Sequence, residues 1–147
     1  MESPFMSSVV NSNLGQTYME LNELDSAQKY LSLASAFFLA KPDMNSDVQF
    51  FVDGLNASLA LKQDNLAKAT KILSKPYVLD HMPPNYLYLH HKGLADLYER
   101  KGDYAKALEY QKLTNQYDDS LRNAMMISNV SENELRFKQD TAIVRRD

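Results

Sequence analysis

Three alanines constrain this chain more than anything else in it. Ala27, Ala69 and Ala107 each fall four or five residues into a helical segment that follows a short polar turn, at separations of 42 and 38 residues. A small residue recurring at one phase of a repeated two-helix unit marks a point of close helix–helix approach. The chain is therefore expected to be built from copies of one helical hairpin.

The last copy is the plainest. Pro83-Pro84 opens a helix read over Asn85–Lys101, in which Leu87, Leu94 and Tyr98 form one stripe with Gly93 and Ala95 beside it. Gly102 suits the left-handed residue at a helix C-terminus, and Asp103 is placed to cap the next helix. That helix is expected to pack through Tyr104, Ala107, Leu108 and Gln111. So short a turn folds the pair antiparallel. The first copy is read as Ser8–Leu21, with Val10, Leu14, Tyr18 and Leu21 inward, then Asn22-Glu23, then Asp25–Leu39 with Leu24, Ala27, Leu31 and Ala34 at helical spacing. The middle copy spans Ser46–Ser74. Ser46 and Gln49 have capping-box spacing, Phe50, Leu55, Leu59 and Leu61 carry its first helix, and Leu66, Ala69, Ile72 and Leu73 its second. Loops are expected at Lys41–Asn45 and Lys75–Pro84.

From Asp118 the pattern loosens. Leu121, Met125, Val130, Leu135 and Phe137 keep partial helical spacing, and Ser131 with Glu134 has the form of a second cap. This predicts a long continuation of the last helix, interrupted near Asn129 and covering the open end of the stack. The expected organisation is a repeat region over residues 1–117 (copies at about 8–40, 46–75 and 85–117) and a C-terminal helical extension over 118–147.

Composition narrows the function. The formal charge is −3 with no basic run, which disfavours a nucleic-acid surface. There is no cysteine, so thiol chemistry and Cys-ligated zinc are excluded. No apolar stretch approaches the roughly 20 residues of a membrane-spanning helix, and no secretory leader is visible at Met1–Pro4. The expected setting is the cytosol for a complete protein, or the periplasm for a soluble fragment of a membrane-bound one. His90 and His91 are adjacent, so their side chains project about 100° apart on a helix. With His81 they read as packing or surface residues. Asp118-Asp119 reads as a solvated pair, and the methionines as gap-fillers. No metal, cofactor or catalytic constellation is expected, and an enzyme is the last choice.

The segment Leu94-Ala95-x-x-Tyr98-x-x-x-Gly102-Asp103-Tyr104-x-x-Ala107-Leu108 resembles a tetratricopeptide repeat. Leu14-Gly15-x-x-Tyr18 with Leu24 and Ala27 resembles a second, and Asn56-Ala57-x-x-Ala60 with Asn65-Leu66-x-x-Ala69 a degenerate third. The resemblance implies an all-α solenoid of three antiparallel helix pairs that binds a peptide or protein segment on its concave face. Its groove-facing phase, carried over residue by residue, implies Ser12, Gln16, Met19 and Glu20 from the first copy. It implies Gly54, Ser58, Leu61 and Lys62 from the second, and Lys92, Asp96, Glu99 and Arg100 from the third. Mixed charges argue against a clamp for a free carboxylate and for a partner carrying both apolar and charged side chains.

Two further readings follow. The Tyr-Asp-x-Ser-Leu segment and the polar helix with Glu-Leu-Arg-Phe are similar to bacterial sensory regulators, in which repeats lead into a long transmitting helix. Alternatively, Met125, Met126, Val130, Leu135 and Phe137 form a seam for self-association as a homodimer.

Overall fold

The structure, a computed structural model, describes residues 3–41 and 46–146, the side chains of residues 46, 121, 124, 125, 127–131 and 140–146 excepted. The first expected loop, Met44, the cap of Ser46, and the seam residues Met125 and Val130 lie outside what is described. The described residues form six helices and no strand: α1 (Pro4–Glu20), α2 (Leu24–Ala40), α3 (Ser46–Lys62), α4 (Leu66–Leu73), α5 (Pro84–Arg100) and α6 (Tyr104–Arg146).

The helices pack as consecutive pairs, α1 with α2, α3 with α4 and α5 with α6, and each later first helix also touches both helices of the pair before it. The three pair turns are the same object. Asn22, Asp64 and Gly102 take positive φ of 59°, 60° and 82°. Glu23 N–H then reaches back to Tyr18 C=O at 2.8 Å, Asn65 to Ala60 at 2.8 Å, and Asp103 to Tyr98 at 2.9 Å. This is the Schellman closure of a helix end. The following helix starts at once: Asn65 and Asp103 side chains accept from Lys68 and Lys106 N–H at 3.1 and 3.3 Å. The amides of Ala27, Ala69 and Ala107 bond back to residues 23, 65 and 103. The equivalence first read from three alanines therefore holds atom by atom through the backbone.

Ala27 and Ala69 are fully buried and Ala107 is half-buried. The core runs along the pairs. One cluster joins Met19, Ala27, Leu31, Leu55 and Leu59. A second joins Ala57, Ala60, Leu61, Ala69, Leu73 and Leu97. The connection from α4 to α5 does not hang free. Tyr77 donates its hydroxyl to Asp53 and sets its ring against Phe50, Lys75 Nζ lies 3.2 Å from Asp53, and Met82 is buried.

The inward face of α1 differs from the expectation. Val10, Leu14 and Leu21 are exposed, while Ser8, Ser12, Gly15 and Met19 are buried. Small residues win the inner face because α1 and α2 approach too closely for large ones: a Cβ built on Gly15 would lie 2.7 Å from Leu31 Cγ. The buried hydroxyls are satisfied internally, Ser8 donating to Phe5 C=O at 2.6 Å and Ser12 to Ser8 C=O at 2.7 Å. α6 likewise turns Tyr104, Leu108 and Gln111 outward. It packs through Ala107, Tyr110, Thr114 and Tyr117 instead. No break occurs near Asn129. α6 is continuous for 43 residues, and among the described residues it touches α5 alone.

Candidate functional site

The sequence of α1, α3 and α5 sets one face of each toward a common groove. At the three turns the chain leaves each first helix at the same phase, so residues 42 and then 38 apart occupy equivalent heights: Gln16, Ser58 and Asp96 form one tier, and Glu20, Lys62 and Arg100 another. These helices enclose a cavity of about 690 Å³. Its lining includes Gln16, Met19 and Glu20 from α1, Ser58, Leu61 and Lys62 from α3, and Lys92, Asp96, Glu99 and Arg100 from α5.

Ten of the eleven candidate side chains, Gly54 set apart, are therefore together on this wall. Ser12 is not: it is buried at 1% exposure, its hydroxyl held by Ser8. Gly54, also expected in the groove, is covered by Leu89, whose Cδ2 would lie 2.9 Å from an added Cβ. Met19 and Leu61 are buried and form part of the floor.

Sequence reasoning missed the rest of that floor. Phe51, Leu55, Tyr88 and Leu89 also line the cavity, Phe51 stacking on Tyr86 with centroids 4.6 Å apart. Of these only Leu55 was expected in the core, and in helices this close a side chain serves both. Asn85 and Gln111 complete the rim.

The charges divide into used and unused. Arg100 Nη1 donates to Leu61 C=O at 2.5 Å, its Nε to Asp96 Oδ1 at 3.0 Å, and it lies 3.5 Å from Asp64. A guanidinium offers donors in a fixed fork, and here the fork binds the end of α3 to α5. Arg100, expected to meet a partner, thus ties the second helix pair to the third, and Asp96, also expected there, holds Arg100 from within α5. Lys62, Glu20 and Glu99 are exposed and have no ion pair among the described residues, and Lys92 Nζ stands 5.6 Å over the Tyr88 ring.

Opposite this groove, a smaller cleft of about 340 Å³ lies between α2, α3 and α4, bordered by Gln28, Ser35, Asn56 and Lys68. Asn56 donates to Ser35 Oγ at 2.9 Å there. Behind α5, burial and then the neighbouring His91 lower the pKa of His90 to about 4. Its ring packs on Phe50 at 4.9 Å, and His91 Nδ1–H donates to Leu87 C=O at 2.8 Å. The two histidine rings stand at 88° to one another, and both serve packing.

The described residues thus define an all-helical protein of packed, repeated helix pairs with a walled groove across its first helices. No protein-family model, curated protein or solved structure matches this chain. Among the described residues, no helix is long and apolar enough to cross a membrane.

Proposed function

We propose that this chain is a three-pair solenoid of the tetratricopeptide type that binds a polypeptide segment in the groove between α1, α3 and α5, and that its role is binding without chemistry. One observation carries the reading: side chains chosen by repeat phase, from three separate helices, line a single cavity of about 690 Å³. That volume lies within the range of sites that engulf a ligand's side chains. An apolar floor of Phe51, Leu55 and Leu89 under a rim of Glu20, Lys62, Lys92 and Glu99 suits a partner presenting a large apolar side chain flanked by charges of both signs.

A displayed random-peptide library tests this. Wild-type protein is expected to enrich peptides that lose at least about tenfold in affinity, roughly 1.4 kcal/mol, when Ser58→Arg and Lys92→Glu are introduced together. Both sites face the groove, so the Tm should hold. Failure to enrich any sequence, or equal binding by the variant, would remove the groove from consideration.

The 43-residue α6, which among the described residues touches α5 alone, supports a second reading. In it, the repeats are the sensory part of a larger bacterial regulator, and groove occupancy is passed along α6 as a rigid rod.

A further inference from the structure

The groove is not uniform along its length. On α5 its lining runs from Asn85 to Arg100, about 22 Å at 1.5 Å per residue. On α3 it runs from Phe51 to Lys62, whereas α1 contributes only Gln16, Met19 and Glu20. The cavity is therefore a slot along α3 and α5 that opens to α1 where these helices end.

The wall on α5 is polarised. Its N-terminal end is apolar, with Leu89 level with Phe51 of α3 and Tyr88 beside it. Lys92 follows, its Nζ 5.6 Å from the Tyr88 ring centre. Asp96 and Arg100 then neutralise one another at 3.0 Å. That leaves Lys92 and Glu99 as the exposed charges on this wall, and neither is in an ion pair among the described residues. Seven residues separate them, about 10 Å along the helix. On the other wall Glu20 and Lys62 have opposite signs in one tier, so they offset each other.

Midway along the slot two polar side chains are unspent. The hydroxyls of Ser8, Ser12, Ser35, Thr70 and Thr114 all donate to carbonyls of their own helices. Ser58 is half-buried in the slot, and Gln16 stands level with it on α1. Among the described residues neither side chain makes a hydrogen bond. A helical ligand satisfies its own backbone and needs no such groups. An extended one carries N–H and C=O groups that must find partners.

We infer, taking the groove as the binding face, that its occupant is an extended segment with a fixed order of side chains along α5. A large apolar side chain sits at Phe51 and Leu89, an acidic one at Lys92 and a basic one at Glu99. An extended chain covers the 10 Å between the two charges in about three residues. Its backbone passes Ser58 and Gln16, whose hydroxyl and amide complete its hydrogen bonds.

Selection from a displayed peptide library against the full chain tests this. Wild-type protein is expected to enrich sequences with a large apolar residue, an acid within about two positions of it and a base about three positions beyond the acid. Lys92→Glu combined with Glu99→Lys should invert the order of the charges in the enriched sequences and leave the apolar residue in place. In synthetic peptides, exchanging the acid and the base should weaken binding to wild type at least about tenfold at low salt, and less at high salt. The same exchange should strengthen binding to the double variant. Both altered side chains are exposed, so circular dichroism should show unchanged helix content. A spacing of about seven residues between the charges would mean a helical occupant and overturn the inference. Peptides blocked by Ser58→Arg but indifferent to the charge inversion leave the groove as the site and also overturn it. No enrichment of any sequence removes both the groove and its proposed occupant.

Discussion

Of the four glycines Gly15 leaves the least room for a side chain, and a double-mutant cycle there tests the account of the first helix pair. A Cβ at Gly15 would lie 2.7 Å from both Cγ and Cδ2 of Leu31 and 3.5 Å from its backbone nitrogen. Leu31 is fully buried in the cluster with Met19, Ala27, Leu55 and Leu59, so it has little room to withdraw. Overpacking of this kind costs about 1–3 kcal/mol, and replacing glycine within a helix returns about 1 kcal/mol. Gly15→Ala is therefore expected to lose about 1 kcal/mol. Leu31→Ala removes three buried carbons' worth of packing and is expected to lose about 3 kcal/mol. In the double variant the new methyl enters vacated space. Its steric cost disappears while its helix preference remains, so Gly15→Ala becomes stabilising by about 1 kcal/mol in that background. The coupling is then about 2 kcal/mol, measured by urea titration followed at 222 nm or as a Tm difference of about 3 °C per kcal/mol. Additivity of the two substitutions within about 0.5 kcal/mol, or a Gly15→Ala protein more stable than wild type, would refute close approach as the reason for glycine here.

The pair turns make a second test: Gly102→Ala, forced to φ of 82°, should lose about 1 kcal/mol. Asp64→Gly should be neutral or gain about 0.5 kcal/mol, since its contact to Arg100 is long and exposed. A larger loss by urea titration would show that the ion pair contributes. His90 titrates at about 4 in the folded chain against about 6.5 unfolded. Unfolding then takes up a proton between those values, so stability is full above about 6.5 and falls as pH drops toward 4, by about 1–3 kcal/mol after allowing for screening. His90→Phe should flatten that acid limb in thermal melts, and an unchanged limb would locate the effect elsewhere. At Tyr77, burial first, then its bond to Asp53 and that carboxylate's charge, raise the phenol above its ordinary range. The proton is held more tightly in the folded state, so this stabilisation persists below about 10 and is lost as pH rises beyond it. Ultraviolet titration should find Tyr77 among the last tyrosines to ionise, and Asp53→Asn should bring it down.

Much of the fold was legible because turns are local chemistry. Gly102-Asp103 and Asn22-Glu23 name a left-handed residue followed by a helix start, and the alanines fix the phase after it. The same phase found ten groove residues, because helical geometry carries one position to the next copy without knowledge of contacts. What escaped depended on distance between helices. Ser8 and Ser12 read as polar, yet serine is small and returns its hydroxyl to its own helix, so both fit where Val10 and Leu14 do not. Tyr104 and Leu108 read as inward because they are apolar. Their equivalents in the earlier copies, Leu24 and Leu66 for Tyr104, have a following helix pair beside them, whereas no described helix follows α6. Phe51 and Leu89 show the converse: apolar residues that belong to the groove floor. Arg100 was assigned to the groove by phase, and only the structure reveals that two of its five donors are held by Leu61 and Asp96.

That guanidinium has a bearing on how the molecule comes apart. Leu97, the contacts of Gly93 with Leu73 and of Gly54 with Leu89, the ring pairs Phe51–Tyr86 and Phe50–His90, and the bond from Arg100 to the Leu61 carbonyl fasten the last hairpin to its predecessor, and among the described residues α6 touches α5 alone. Breaking these contacts together releases everything beyond residue 83 while the first two hairpins keep their shared core. Amide hydrogens of α5 and α6 should therefore exchange with deuterium through a cheaper opening than those of α2 and α3, and the chain should fray from its carboxyl end inward, one hairpin at a time.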